Sequence, residues 1–120
     1  MKVAVTARAP YLKAKIASRF SRTLFFVVIN LDTNDYAIRD NTWNAHIRRD
    51  SSVLAARDLV TVGVDAVITN CVGPRAFTIL QAHNISTNAG ATGFVWDAIS
   101  QFKSGHLKRL TAPNCQEDRS

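Results

Sequence analysis

The first forty residues contain three stretches with the hydrophobic pattern of β-strands. Residues 2–6 alternate, and residues 24–31 (LFFVVINL) are apolar almost throughout, which is typical of a strand covered on both faces. The turn sequence Asp32-Thr33-Asn34-Asp35 then leads into residues 36–40, whose alternation predicts an edge strand in a hairpin. Three antiparallel strands are therefore expected at the start of the chain.

The remainder of the chain alternates between helical and strand patterns. Its helical segments carry apolar residues three and four positions apart, with cap-forming residues or proline near the start, and two of them end at glycine. The predicted elements are a helix from Asp50-Ser51-Ser52 to Gly63, a strand at 65–69, a helix from Pro74, a strand near 85–87 and a helix from Thr92 to Gly105.

This order of elements predicts an α/β fold with one mixed five-stranded sheet. Three antiparallel strands followed by two helix-strand units, with helices on both faces, give the ribonuclease H-like arrangement. We expect residues 1–112 to form a single domain and residues 113–120, which have no apolar period, to be a flexible C-terminal tail. No apolar run approaches the roughly 20 residues needed to cross a bilayer, and no signal peptide is recognisable, so a cytoplasmic protein is expected.

Positive charge is concentrated at the start of the chain. The formal net charge is +6, and the first 22 residues contain six Lys or Arg residues and no Asp or Glu. Most of these cations lie in the long connection between the first two strands, together with Tyr11, Leu12 and Phe20. In Arg19-Phe20-Ser21-Arg22 two guanidinium groups can bind an anion while Phe20 anchors the loop to the core. A solvated basic loop is the alternative.

Two glycine-containing junctions lead from strands into helices. Such sites lie beyond the carboxyl ends of parallel strands, where helix N-termini favour anions. Glycines required only for tight turns would give the same pattern, and neither junction is a Walker loop or a GxGxxG fingerprint. The candidate residues are Asn70, Cys71, Gly73 and Arg75 in the first junction and Gly90, Ala91, Thr92 and Gly93 in the second.

The cysteines and one histidine need separate interpretation. Cys71 and Cys115 do not form a disulfide framework, so we expect both thiols to be free. Beside a helix N-terminus Cys71 could be a thiolate ligand, although a cysteine at a strand end is more often a small buried hydrophobe. His46 could contact a bound cluster through a ring nitrogen, or be a plain surface histidine. Trp43 and Trp96 are expected to pack.

Several sequence blocks resemble one known family. Arg19-Phe20-Ser21-Arg22 resembles the Arg-Phe-Gly-Arg signature of the dinitrogenase iron-molybdenum cofactor biosynthesis family, with Ser21 in place of glycine. The opening MKVAVT and the blocks GVDAVITNCVGPRAFTILQAHNI and GATGFVWDAISQFKSGHLKRLT are similar to it too, so the resemblance spans residues 1–112. A glycine-rich segment common in the family is replaced here by residues 44–50.

The resemblance implies a carrier of a molybdenum-containing metal-sulfur cluster. Such a cluster is held non-covalently and without turnover, and is either of the iron-molybdenum type or the molybdenum-copper sulfide type held by the orange protein branch. The implied partners are the cluster and a cluster donor or acceptor protein. The predicted cofactor-binding residues are Arg19, Phe20, Arg22, His46, Asn70, Cys71, Gly73, Arg75, Gly90, Ala91, Thr92 and Gly93. No catalytic residue and no direct metal ligand is predicted.

Two other functions compete with this interpretation. A pI near 9.9 favours a polyanion or nucleic-acid binding module, although the sequence shows no row of aromatic residues for base stacking. A nuclease on this fold would need carboxylates that converge on divalent metals near the strand ends. The first strand offers none, so nuclease activity is not expected.

Overall fold

A computed structural model describes residues 1–47 and 50–116 as a sheet with helices packed against it. The strands are β1 (Lys2–Ala7), β2 (Phe25–Asn30), β3 (Tyr36–Asp40), β4 (Ala66–Ile68), β5 (Ser86–Ala89) and β6 (Lys108–Arg109). The helices are α1 (Thr42–Ala45), α2 (Ser51–Val62), α3 (Pro74–Ala82) and α4 (Val95–Lys103), with a 3-10 turn at Phe20–Arg22.

The sheet is mixed, as the sequence predicted. Its strand order is β3-β2-β1-β4-β5-β6. The hairpin strands β2 and β3 are antiparallel, and β2 pairs antiparallel with β1, whereas β1, β4 and β5 are parallel. The carboxyl ends of these three parallel strands therefore meet at one edge of the sheet, where a ligand is expected.

The prediction of five strands is wrong, because the described chain forms a sixth. Strand β6 pairs antiparallel with β5, so that Arg109 lies opposite Asn88 and Lys108 lies opposite Ala89. Both residues of β6 are exposed, and a two-residue charged strand has no alternating apolar pattern from which it could have been predicted. The more specific description as ribonuclease H-like stays a prediction.

The core has two parts, one on each face of the sheet. Ala4 of β1 points toward α2 and α3, where it joins a buried cluster with Leu59 and Leu80. Its neighbour Val3 points to the opposite face and joins a cluster with Ile99 of α4. The alternation of side chains along a strand explains why an almost continuous apolar run serves both clusters. Helices therefore cover both faces, as predicted.

Two local expectations differ from the structure. Helix α1 was not predicted, and its last two residues, Asn44 and Ala45, lie in the stretch 44–50, of which Arg48 and Arg49 are outside the described residues. Helix α4 begins at Val95, and Phe94, not Thr92, precedes its first turn. Within the described ranges, no helix is both long and apolar enough to cross a membrane.

Candidate functional site

The long connection between β1 and β2 is folded back onto β1. Ile16 forms an antiparallel bridge with Ala7, and the Arg8 N–H donates to the Lys15 carbonyl at 3.0 Å. At its base, the buried Thr6 hydroxyl donates to the Ala17 carbonyl at 2.7 Å. We call residues 8–22 the basic loop. Main-chain hydrogen bonds and the Thr6 hydroxyl hold it against β1.

Phe20 fastens the basic loop to the first glycine junction. Its side chain is 1% exposed and its ring centroid lies 5.5 Å from that of Phe26. Its N–H donates to the Cys71 carbonyl at 2.9 Å, and Arg19 forms a parallel bridge with Cys71. The prediction that Phe20 anchors the loop is confirmed, and the loop backbone lies beside the first junction.

Asn70 joins the first junction to the second. Its side-chain amide donates to the Ala91 carbonyl at 3.0 Å, and its Oδ1 accepts the Gly90 N–H at 3.0 Å. The Ile16 N–H of the basic loop donates to the Gly93 carbonyl at 3.4 Å. The three segments singled out in the sequence are therefore contiguous at the edge where the parallel strands end.

The N-terminus of α4 is already occupied by the basic loop. The N–H groups of Val95 and Trp96 donate to the carbonyls of Ala14 and Leu12 at 2.9 and 3.0 Å. The Phe94 N–H donates to Oδ2 of Asp97 at 2.9 Å. These donors would otherwise attract an anion, so the expectation that this helix offers them to a ligand is wrong. They hold the loop instead.

Thr92 and Gly93 shape the second junction. The Thr92 N–H and carbonyl exchange hydrogen bonds with the Gln101 amide, both at 3.1 Å. Gly93 has φ +86°, and a Cβ there would lie 2.6 Å from Oδ2 of Asp97. Gly93 therefore fits a position that a side chain would strain.

Three arginines line one concave surface on the basic loop. The cavity, of about 370 Å³, is lined by Arg8, Ala17, Ser18, Arg19, Arg22 and Leu24. We call it the arginine cavity. Nη1 of Arg22 also donates to the Ala45 carbonyl of α1 at 3.2 Å. No carboxylate is among these described lining residues, and the three charged side chains among them are all cationic.

Arg75 and His46 are not among the residues lining this cavity. Arg75, in the first turn of α3, forms an ion pair with Asp50 at 2.8 Å, with both side chains about half exposed. The His46 ring is exposed, and its Nδ1 lies 2.6 Å from the Thr42 carbonyl. Gly73 precedes α3 in extended conformation. These residues are therefore outside the described lining of the arginine cavity, and their part in cofactor binding stays a prediction.

Cys71 and Cys115 form a disulfide, so the expectation of two free thiols is wrong. Their Cα atoms are 5.7 Å apart, within the normal range for a disulfide, although 44 residues separate them in sequence. After β6 the chain returns to the first junction and brings Cys115 to Cys71. In this form neither sulfur is a thiolate, and Cys71 cannot ligate a metal as one.

Residues 113–116, which we call the C-terminal strap, are held against the first junction. Oδ1 of Asn114 accepts the Val72 N–H at 2.9 Å, and Nδ2 of Asn114 donates to the Asn70 carbonyl at 2.8 Å. The backbone N–H groups of Asn114 and Cys115 both donate to the Val72 carbonyl. Asn114 and Cys115 are thus bonded to the first junction. Residues 117–120 lie outside the described part, and the flexibility expected of the tail stays a prediction.

Some site features were missed by sequence reasoning. Arg8 lines the arginine cavity but was not among the predicted cofactor-binding residues. Its position among the first 22 residues, which contain no Asp or Glu, could have indicated it. Trp43 and Trp96, which were expected to pack, are 80% and 59% exposed. Trp96 does not lie on the apolar face of α4, which Val95, Ala98 and Ile99 form at helical spacing. This position in the helix could have indicated that Trp96 is exposed. Trp96 lines a groove of about 390 Å³ with Leu12, Lys13, Phe94 and Asp97.

A direct metal centre was also considered. In residues 1–47 and 50–116, no group of three or more His, Cys, Asp or Glu side chains could hold a metal ion. The groups gathered in the arginine cavity are hydrogen-bond donors, which suit the anionic surface of a ligand.

Comparison with known proteins places this arrangement in a family. The family described as dinitrogenase iron-molybdenum cofactor matches residues 1–105. The chain belongs to this family. No match was found among curated proteins.

Solved structures of similar proteins agree with this assignment. The apo orange protein from Desulfovibrio gigas is 31% identical, with a TM-score of 0.91 over 95% of this chain and 96% of that chain. This likeness supports the orange protein branch of the family. A putative NifB protein from Thermotoga is 26% identical, with a TM-score of 0.82 over 97% of this chain and 98% of that one. A putative dinitrogenase from Methanocaldococcus jannaschii, 19% identical at a TM-score of 0.70 over 94% of this chain and 97% of that one, shows the shared fold.

Proposed function

We propose that this chain is a non-catalytic carrier that binds an anionic molybdenum-containing metal-sulfur cluster without covalent attachment. The cluster is of the molybdenum-copper sulfide type or the iron-molybdenum type, and the arginine cavity receives it. Membership of the dinitrogenase iron-molybdenum cofactor family supports a role in cluster handling. The observation that carries the proposal is the convergence of Arg8, Arg19 and Arg22 on one cavity.

The chemistry of the cavity suits such a cargo. The sulfide atoms of a thiometallate carry negative charge on a soft surface, and guanidinium groups donate several N–H bonds from a planar fork. Ala17 and Leu24 add apolar contact area to the same wall. A cluster held through its own sulfides needs no cysteine or histidine from the protein, and it can be released intact to an acceptor protein.

The two junctions have a positioning role in this proposal. Phe20 binds the Cys71 carbonyl, and Asn70 links that junction to Gly90 and Ala91. The arginine-bearing backbone is thereby fixed to the rigid end of the sheet. A preorganised basic surface binds an anion more tightly than a mobile one, because less conformational entropy is lost on binding.

Reconstitution tests the proposal directly. The purified protein is mixed with tetrathiomolybdate and a copper salt and desalted, and the metal content and visible absorption of the protein fraction are recorded. We expect the wild type to retain both metals and the double variant Arg19→Ala with Arg22→Ala to retain at least about tenfold less. Arg57→Ala with Lys103→Ala removes the same charge from α2 and α4, and should retain the wild-type amount.

Other outcomes would contradict the carrier function. A folded wild type that retains no metal would exclude the molybdenum-copper cluster as cargo, and the reconstitution would then be repeated with the iron-molybdenum type. Equal losses in both double variants would indicate a response to net charge alone. Displacement of the cluster by single-stranded DNA, with strong dependence on salt, would favour the nucleic-acid alternative, for which Trp96 beside Lys13 would supply a stacking surface.

A further inference from the structure

The C-terminal strap occupies polar groups that the first junction would otherwise present. In a strand-to-helix junction, the backbone N–H groups are the natural donors to an anion. Here the Val72 N–H is already donated to Oδ1 of Asn114, at 2.9 Å. The Val72 carbonyl accepts two further N–H groups, those of Asn114 and Cys115. The strap therefore fills the position that a ligand of the junction would take.

The strap also reaches the second junction through one residue. Nδ2 of Asn114 donates to the Asn70 carbonyl at 2.8 Å, while the side chain of Asn70 binds the Gly90 N–H and the Ala91 carbonyl. In the same junction, the Cys71 carbonyl accepts the Phe20 N–H of the basic loop. Hydrogen bonds thus connect the strap to both junctions and, through Cys71, to the basic loop.

The disulfide is the strongest hold on the strap. Asn114 and Gln116 are exposed and Cys115 is only partly buried, so little apolar surface anchors these residues. Their remaining contacts are hydrogen bonds near the surface, for which water competes. When the bond to Cys71 is broken, these hydrogen bonds alone must offset the conformational entropy that residues 113–116 lose when they are ordered against the junction.

We infer that the Cys71–Cys115 disulfide is a reversible redox strap that regulates ligand access to the first junction. In the oxidised protein the Val72 N–H is bonded to Asn114 and cannot donate to a ligand. After reduction, residues 113–116 leave the junction, and this donor is offered to an anion on the side of the Cys71–Val72 peptide opposite the basic loop. The inference rests on the proposed function for the identity of that anion.

The chemical step is thiol-disulfide exchange with a dithiol. One thiolate of the dithiol attacks a protein sulfur, which forms a mixed disulfide and releases the other cysteine as a thiol. The second thiol of the reductant then closes a cyclic disulfide and releases the remaining cysteine. The protein gains two electrons and two protons, and the dithiol loses the same number.

Release of the strap is tested first, without any cluster. Amide hydrogen exchange is compared between the oxidised wild type and the wild type reduced with dithiothreitol, which is then removed by anaerobic desalting. We expect exchange at Val72 and Cys115 to be at least about tenfold faster after reduction, while the amides of β1 keep their protection. Unchanged protection at Val72 would overturn the inference.

Ligand access is tested second, by titration with tetrathiomolybdate. We expect the reduced wild type to bind at least about fivefold more tightly than the oxidised wild type. The Asn114→Ala variant keeps the disulfide but loses the acceptor for the Val72 N–H, so its oxidised form should bind like the reduced wild type. The double variant Cys71→Ser with Cys115→Ser has no thiol and should also bind tightly, with its fold checked by circular dichroism.

The outcomes separate this inference from the proposed function. Equal affinity of the oxidised and reduced wild type would overturn the regulation while leaving the carrier function standing. Tight binding by the reduced wild type but not by the double serine variant would show that the thiols are ligands, which overturns the inference as well. Failure of every form to bind tetrathiomolybdate would count against the thiomolybdate cargo and the regulation built on it, whereas the exchange experiment still decides whether the strap is released.

Discussion

Phe20 anchors the C-terminal end of the basic loop to the core. Its side chain is almost fully buried against Phe26, and its N–H is bonded to the Cys71 carbonyl. The neighbouring Arg19 and Arg22 are placed by this anchor. The charged residues of the site therefore depend on an apolar contact made in the core.

Truncation of this anchor should be costly. We expect Phe20→Ala to lower the free energy of unfolding by about 3–5 kcal/mol, because it removes a buried ring and leaves a cavity. Tyr11→Ala, in the same loop but at a side chain 56% exposed, should change it by less than about 0.5 kcal/mol. Urea denaturation followed by circular dichroism measures both, and similar values for the two variants would show that Phe20 is not the anchor.

Individual residues differ in how far the sequence revealed them. Phe20 could be predicted because a phenylalanine ring gains free energy by burial, while the arginines on either side of it can remain at the surface. The pairing of Cys71 with Cys115 could not, because no local pattern relates two residues so far apart in the chain. The partner of Arg75 was equally hidden, since Asp50 had been assigned only to the start of a helix.

Among the elements, α1 depends on the residue that ends β3. The carboxylate of Asp40 accepts the Thr42 hydroxyl at 2.6 Å and the Thr42 N–H at 2.8 Å. These bonds hold the pKa of Asp40 below its ordinary value. The bond from the Thr42 hydroxyl has the larger effect and the bond from the Thr42 backbone N–H the smaller one. Because the folded state prefers the ionised carboxylate, its contribution to stability is present above the ordinary pKa and is lost as the pH falls through the lowered one.

Replacement of this carboxylate should change the acid sensitivity of the fold. We expect Asp40→Asn to lower the free energy of unfolding near neutral pH and to reduce the loss of stability that the wild type shows as the pH falls below the ordinary pKa of aspartate. Urea denaturation at a series of pH values measures this. Asp35→Asn, an exposed position in the preceding turn, is the control, and parallel curves for Asp40→Asn and the wild type would refute the role of Asp40.

Elements with a strong apolar pattern were the ones that the sequence predicted well. The central strands and the three longer helices bury a face or both faces, and burial imposes a period on the sequence. Helix α1 has only four residues, two of them buried, and the two residues of strand β6 are exposed, so neither carries an apolar period. Their formation depends on tertiary contacts that no window of sequence contains.

For the molecule as a whole, the disulfide closes a loop that includes all of α3, β5, α4 and β6. A cross-link over a separation of 44 residues restricts the unfolded chain, and the chain-entropy model gives about 4 kcal/mol for a loop of that size. The same bond returns the end of the described chain to the site. Stability and access to the junction are therefore linked through one covalent contact.

Loss of the cross-link should lower global stability by a measurable amount. We expect reduction of the wild type to lower the free energy of unfolding by about 2–4 kcal/mol, with a shift in the urea midpoint. The double variant Cys71→Ser with Cys115→Ser should have the same stability with and without reductant. A wild type whose urea midpoint does not respond to dithiothreitol would show that the bond does not form or does not stabilise the fold.

The candidate site combines four segments that are distant in sequence. The basic loop and the two glycine junctions could be recognised separately, from charge and from turn chemistry. Their adjacency followed from the rule that parallel strands end at one edge of a sheet. What the sequence could not show was the use of the α4 N-terminus to hold the loop, because either a ligand or a backbone carbonyl can satisfy the same donors.

The bonds from Val95 and Trp96 to the carbonyls of Leu12 and Ala14 have an evolutionary consequence. They involve only main-chain atoms of the loop, and almost any amino acid can supply a carbonyl. The side chains at positions such as Arg8, Lys13 and Lys15 can therefore diversify while the loop keeps its path. Related proteins could acquire preferences for different cargoes by exchanging a few side chains on an unchanged framework, much as variable loops do on a constant scaffold.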